Sequence, residues 1–397
     1  LRRQRQMCIR DSYLIGSYIN SIDDSTMQQL NAMSDPAANI YQESLIKGFF
    51  NCGIELIPYS FKVVSKKLYS QYSLFYKSWC SLYPNVSIKP RSYIKNFIEC
   101  YFFLYKSLRS KLQRNDVIIL YSLNIAAIIS TLVACRKYHN KICVIITDLP
   151  LHMSTNGSIF YHIMKWVANK IIKSCMRKIT CFGILSEYMS EYLPKHANYV
   201  VIEGIYSPCN LVNIPQPKID GRILYSGTLA ERYGIKNLLL AFNLLKNENY
   251  SLIICGRGDS EEYVKNMATK DRRIQYLGSI PHDEILQLQR TASLLVNPRT
   301  PEGIYTKYSF PSKTMEYLAS GTPTLLYELP GIPKEYYHYC YSLNDQSITA
   351  LAEKVDEVLS LSIEERTKLG EKAQQFILDT KNATIQCTKI LELIKRT

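Results

Sequence analysis

Histidine is scarce in this 397-residue chain, with 6 copies, and no His, Cys or Asp cluster shows metal-ligand spacing. That argues against a structural or catalytic metal. The 12 cysteines include no CxxC pair. A chain of this size needs no covalent staples, so free thiols in a reducing compartment are expected rather than a disulfide framework. No uninterrupted apolar run reaches the roughly 20 residues of a spanning helix. The nearest, Asp116 to Cys135, is broken by Ser122 and Asn124. Low-complexity tracts are missing too, and 47% hydrophobic with 21% charged residues is an ordinary globular balance. Acids are short in one half only. Residues 13–205 carry 21 basic and 11 acidic residues, whereas residues 206–397 carry 23 and 22.

The basic excess is concentrated further. Lys62 to Arg114 holds 11 Lys and Arg against the single acid Glu99, interleaved with aromatics such as Tyr69, Trp79, Phe97 and Phe102. Within it Ile94, Phe97, Ile98, Tyr101, Phe102, Tyr105 and Leu108 recur at helical spacing. Such a stretch suits an anionic membrane surface, where each basic residue contributes about 1 kcal/mol. Its plainer reading is a solvated helix with its apolar face in the core.

The length exceeds what one core usually serves, so two domains are expected. Leu1 to Ser12 is set aside, because Met7-Cys8-Ile9-Arg10-Asp11-Ser12 resembles an in-frame translation of a sequencing-library transposon end. Residues 13–207 then form one domain. Asp116 to Tyr121 and Lys141 to Thr147 read as buried parallel strands separated by a helix. Residues 208–220, with Pro208, Pro215 and Pro217, read as a linker. Residues 221–380 form a second α/β domain, and 381–397 a final helix packing back on the first. In this second domain Arg222 to Gly227, Ser251 to Cys255 and Ser293 to Val296 are strands running into loops. Ligands of open α/β sheets bind beyond such carboxyl ends.

Tyr308-Ser309-Phe310-Pro311-Ser312-Lys313-Thr314-Met315-Glu316 is the most informative segment. A loop enters a helix near Pro311 and Ser312, and Gly321 stops it. Free N–H groups at the helix start suit a diphosphate. Glu316, one turn inside, is placed to accept hydrogen bonds from ribose hydroxyls. The alternative is an ordinary capped surface helix.

This segment resembles the signature of retaining glycosyltransferases of family 4, in which a loop-helix with two glutamates grips the donor. Glu316 matches the second, and Ala319, Gly321 and Pro323 match the small residues that follow it. Tyr308 stands at the place of the first, and the segment resembles the Phe-Pro-Ser-Lys subgroup of polysaccharide-building enzymes. The resemblance implies a GT-B fold, two Rossmann-like doubly wound parallel-sheet domains facing across a cleft. It implies donor binding by Gly16, Gly227, Arg232, Gly256, Arg257, Arg299, Ser309, Phe310, Pro311, Ser312 and Glu316, and catalytic roles for Asp148, Tyr308 and Lys313. In the family an Arg and a Lys after the first strand of this domain bind the diphosphate. Thr228 and Tyr233 stand there, so Arg232, Arg299 and Lys313 are the substitutes. Each of these is also an ordinary surface cation, Gly256-Arg257-Gly258 also suits a tight turn, and Asp148 before Leu149-Pro150 also suits a cap.

The function expected is metal-independent, configuration-retaining transfer of a hexose from a nucleotide-sugar to a lipid-linked or glycan acceptor, in cell-surface or exopolysaccharide biosynthesis. No cofactor is implied, since the nucleotide-sugar is a substrate. The protein is expected in the cytoplasm, peripheral on the inner face of the membrane, with no nucleic-acid partner. Two rivals stand beside this. A GT-B nucleotide-sugar 2-epimerase shares the fold, and product analysis separates it. A nucleic-acid binder would use the basic aromatic stretch, with strong, salt-sensitive binding of single-stranded DNA.

Overall fold

The computed structural model describes residues 12–18, 36–149, 159–207 and 217–397. The chain divides into two compact units, Leu1–Ile205 with Ala383–Thr397, and Tyr206–Asn382. Most of the excluded leader and most of the expected linker 208–220 lie outside the described residues. Ser12 does not stay with the leader: it is buried as the first residue of a strand. The division between units falls at Ile205 and Tyr206, two residues before the expected end of the first domain, and again at Asn382 and Ala383.

The first unit runs β1 (Ser12–Gly16), α1 (Pro36–Asn51), β2 (Leu56–Val64), α2 (Lys66–Gln71), α3 (Ser73–Leu82), β3 (Val86–Pro90), α4 (Tyr93–Lys111), β4 (Val117–Tyr121), α5 (Ile125–Ala134), β5 (Lys141–Ile146), α6 (Ile159–Met176), β6 (Cys181–Ile184) and β7 (Tyr199–Val201). Its seven strands are parallel in the order β3-β2-β1-β4-β5-β6-β7. The two central strands β4 and β5 are covered on both faces, which is why they read as unbroken apolar runs. Asn124 starts α5 by accepting hydrogen bonds from the Ala126 and Ala127 amides at 3.0 and 3.1 Å.

The second unit runs β8 (Arg222–Ser226), α7 (Ile235–Leu244), β9 (Ser251–Cys255), α8 (Glu261–Lys270), β10 (Ile274–Gly278), α9 (His282–Thr291), β11 (Leu294–Asn297), α10 (Ser312–Ala319), β12 (Thr324–Tyr327), β13 (Tyr341–Leu343), α11 (Ile348–Ser360) and α12 (Ile363–Thr380). Its six parallel strands lie in the order β10-β9-β8-β11-β12-β13. In both sheets the order reverses beside the first strand, which opens a crevice at the carboxyl ends there. The core of this unit is laid down by Leu238, Leu239 and Phe242 of α7 and Leu351, Val355 and Val358 of α11 against the sheet.

The last helix, α13 (Ala383–Arg396), belongs to the first unit. Its Cys387, Ile390 and Ile394 are fully buried with Leu45 and Phe49 of α1. The helices cross closely at Gly48, where any side chain would strike the Ala383 carbonyl and the Cys387 sulfur. Lys141 caps the far end, its Nζ donating to the Ile394 carbonyl at 2.8 Å.

Candidate active site

Three features of the second unit converge at the carboxyl ends of β8, β9 and β11. The first is a tight crossing of backbone. The Gly227 amide donates to Cys255 O and the Leu229 amide to Arg257 O, both at 2.9 Å. Gly256 sits at φ +135, and a side chain on it would run into the Gly227 carbonyl. The glycines after β8 and β9 thus serve the crossing of the two loops, with the Arg257 side chain left exposed.

The second feature is Arg299, just past β11. It is only 8% exposed, and its Nη2 donates to Ser309 Oγ at 2.8 Å. The guanidinium lies over the Tyr305 and Tyr233 rings at 4.9 and 5.4 Å. No carboxylate pairs with it among the described residues, and its Nε has no partner. Burial lowers its pKa, against the pull of the two tyrosines. Arg232 meets the same Tyr233 ring at 4.9 Å from an exposed turn.

The third is the loop and helix that follow. Ser309 Oγ donates to the Tyr305 carbonyl at 2.8 Å, which fixes the oxygen that receives Arg299. Phe310 is turned inward onto the Tyr336 ring at 5.2 Å and anchors the loop. Pro311 is the N-cap of α10 and offers no side-chain acceptor, so the Ser312 and Lys313 amides are left for an outside anion. One turn inside, Glu316 is enclosed by donors. Gln289 Nε2 and Lys313 Nζ reach its Oε1 at 2.6 and 2.9 Å, and His282 Nε2 lies 3.1 Å from its Oε2. Burial alone would raise this carboxyl, but the His282 hydrogen bond and the Lys313 charge outweigh it and hold the pKa at about 2. Gln289 also donates to Ser226 Oγ at 3.3 Å, and the Tyr317 hydroxyl exchanges hydrogen bonds with the Ser226 backbone at 2.8 and 3.1 Å. The network therefore ties β8, α9 and α10 together.

The structure thus gathers Gly227, Arg232, Gly256, Arg257, Arg299, Ser309, Phe310, Pro311, Ser312, Lys313 and Glu316 in the second unit, with Tyr308 half-buried beside Lys307. Gly16 and Asp148 belong to the first unit, at the carboxyl ends of β1 and β5, where Asp148 is exposed. The space beside Gly16 is taken by the buried Gln42, whose Oε1 accepts the Ser17 amide at 3.1 Å. His282, Gln289 and Tyr317 complete the network around Glu316 and Ser226, and the sequence reading passed over them. A rare histidine just after the Gly278 turn was the available signal.

Residues 213–376 match the family described as Glycosyl transferases group 1. O-antigen chain mannosyltransferase B of Escherichia coli is 25% identical over 222 residues, 50% of this chain and 51% of that protein. The chain thus spans about half the length of the curated relative it matches. Among solved structures, Anabaena HepE in complex with UDP aligns at TM-score 0.62 and 11% identity, over 98% of this chain and 100% of that one. The lipopolysaccharide outer core galactosyltransferase WaaB aligns at TM-score 0.62 and 13% identity, over 97% and 99%. The fold is GT-B, and the residues that match the glycosyl transferases group 1 model lie within the second unit.

If Glu316 is the carboxylate that a donor's hydroxyls share, Glu316→Ala weakens nucleoside diphosphate binding by tenfold or more, since each hydrogen bond to a charged group is worth about 1.5–3 kcal/mol. It also lowers the melting temperature, because buried Gln289 loses the nearer of its two acceptors. Calorimetric titration with a nucleoside diphosphate checks the first, and unchanged affinity removes Glu316 from the site.

Proposed function

We propose that this protein transfers a hexose from a nucleotide-sugar to a lipid-linked or glycan acceptor, with retention of configuration and without a metal, in cell-surface or exopolysaccharide assembly. The observation that carries this is Arg299. A buried guanidinium without a carboxylate is costly unless an anion completes it. Beside it stand the uncapped amides of Ser312 and Lys313, and one turn on a carboxylate suited to sugar hydroxyls. This is the arrangement a nucleoside diphosphate requires.

In the transfer, Arg299 and the α10 amides take up the charge that develops on the leaving diphosphate. Lys313 serves from its place on Glu316 by keeping that carboxylate ionised and oriented. The diphosphate oxygen, once released from the sugar, accepts the proton of the acceptor hydroxyl. The glycosyltransferase domain found over residues 213–376 supports this reading over an epimerase or a nucleic-acid binder. So does the UDP bound to the Anabaena relative.

A panel of nucleotide-sugars with released diphosphate as readout tests the activity, and the anomeric configuration of the product, read by NMR, tests retention. Arg299→Met is expected to abolish release while leaving the ligand-free melting temperature equal or higher, since an unpaired buried charge is removed. Release at the wild-type rate by Arg299→Met, or a free 2-epimerised sugar as the product, overturns the proposal.

We also propose that the first unit docks on the anionic cytoplasmic face of the membrane. Among the described residues no helix is long and apolar enough to cross a membrane. Yet α4 leaves Ile94 75% and Phe97 39% exposed, and α6 leaves Ile163 and Trp166 each 54% exposed. Both helices pack against α5, so these side chains belong to one side of the sheet. Lys170 lies over the Trp166 ring at 3.7 Å. Apolar side chains among lysines suit a headgroup layer, where several cations at about 1 kcal/mol each suffice for reversible binding. The protein is expected to pellet with anionic vesicles at low salt, to be released at high salt and to ignore neutral vesicles. Retention in the supernatant with anionic vesicles at low salt sinks the docking claim.

A further inference from the structure

The first unit holds a cavity of about 370 Å³ at the carboxyl end of β3, lined by Lys66, Lys89, Arg91 and Lys95 with Tyr69 and Glu99. Its cations come from three elements: α2, β3 with the residue just beyond it, and α4. Among the described residues, Lys66, Lys89 and Arg91 have no ion-pair partner, and Lys95 meets Glu99 only at 3.9 Å. Four like charges gathered round one acid repel one another unless an anion comes between them. The volume falls in the range of small-ligand sites. The strands of this sheet are parallel, so the cavity opens at the same edge as Gly16 of β1 and Asp148 beyond β5.

The surface beside the cavity is of the opposite kind. Ile94, Ile98 and Phe102 repeat at four-residue spacing on α4 and are 75%, 47% and 51% exposed. Ile98 and Phe102 lie three positions beyond Lys95 and Glu99, which makes them their neighbours on the helix surface. Among the described residues, Lys66, Arg91, Lys95 and the apolar strip are exposed and Lys89 is half-buried. A cationic hollow bordered by an apolar strip matches a molecule with a phosphate head and a hydrocarbon chain.

We propose that this cavity binds the phosphate groups of a lipid-linked acceptor, with Ile94, Ile98 and Phe102 taking the first part of its chain. The inference rests on the glycosyl-transfer reading and names the acceptor's chemistry. It differs from general membrane docking in requiring a phosphate inside the cavity rather than headgroups along the helix faces.

The test uses the full chain and three probes in calorimetric titration: farnesyl diphosphate, inorganic pyrophosphate and farnesol. Wild type is expected to bind farnesyl diphosphate about tenfold or more tightly than either of the others, because buried CH₂ groups add to the ionic contact. Lys89→Ala with Arg91→Ala weakens that binding about tenfold or more. Phe102→Ser with Ile98→Ser brings it to the pyrophosphate level. These residues lie at the surface, so melting curves should match wild type. Equal affinity of wild type for farnesyl diphosphate and pyrophosphate, or no change in the Lys89 and Arg91 double variant, overturns the proposal. So does a loss confined to pelleting with phosphatidylglycerol vesicles, which assigns the cations to membrane headgroups. A nucleoside diphosphate titrated in parallel keeps the two readings apart. Its failure to bind wild type sinks the glycosyl-transfer reading, whereas failure of the farnesyl diphosphate arm alone sinks only the acceptor cavity.

Discussion

Glu316 is a carboxylate largely shielded from water, and such a group stays ionised only where donors replace the water it loses. Three do, from Lys313 on its own helix and from His282 and Gln289 on α9. The arrangement has a cost that shapes the rest of the site. Lys313 is the cation nearest the start of α10, and most of its charge is already answered by Glu316 at 2.9 Å. Arg299 is then the basic group left for an incoming anion, with its own hydrogen bond going to a neutral serine. The expectation that Arg299 and Lys313 share one task therefore separates into two: Lys313 holds a protein carboxylate in place, and under the proposed function Arg299 alone is left to meet the substrate's charge.

Gln289 extends the constraint to the sheet. It is fully buried and joins Glu316 to Ser226 at the end of β8. Tyr317, one residue along α10, holds the Ser226 backbone from the other side. A shift of α10 would break several buried hydrogen bonds at once, each expensive to leave unmade. The loop from Arg299 to Pro311 is anchored at its far end by Phe310, so the amides at the helix start and the guanidinium are presented together on a rigid frame.

Much of this frame is legible in the sequence. Strands covered on both faces are written as continuous apolar runs, and β4, β5, β8 and β9 were readable for that reason. Gly321, at φ +74 just beyond α10, marked the end of the helix that carries Glu316. Strands β2 and β3 were not legible, because the former mixes Pro58, Ser60 and Lys62 into its run and the latter ends Lys89-Pro90 at an edge of the sheet. The Glu316 network was hidden for a different reason. His282 and Gln289 sit on α9 at a spacing that looks like any amphipathic helix, and only the packing of α9 against α10 turns them toward one carboxylate. In α4 the helical period was correct but its meaning was split. Cys100, Leu104 and Leu108 go inward, while Ile94, Ile98 and Phe102 stay in water. Spacing alone does not say which of two apolar rows a sheet will cover.

The charge imbalance between the halves then has a physical explanation. Under the proposed function, a diphosphate in the second unit would meet a guanidinium withdrawn from water, where a unit charge at 4 Å is worth about 4 kcal/mol rather than the 1 kcal/mol of bulk solvent. One such cation and a pair of amides do the work of several exposed ones, so residues 206–397 can stay near neutrality with 23 basic and 22 acidic residues. Contacts made at a wet, salt-screened surface are weak individually and must be numerous. The 11 Lys and Arg of residues 62–114 against one acid fit that second regime. The same reasoning accounts for the seven of them that stand on exposed positions of α2, α3 and α4, since a basic residue buried there would give up the solvent that lets many like charges coexist on one face.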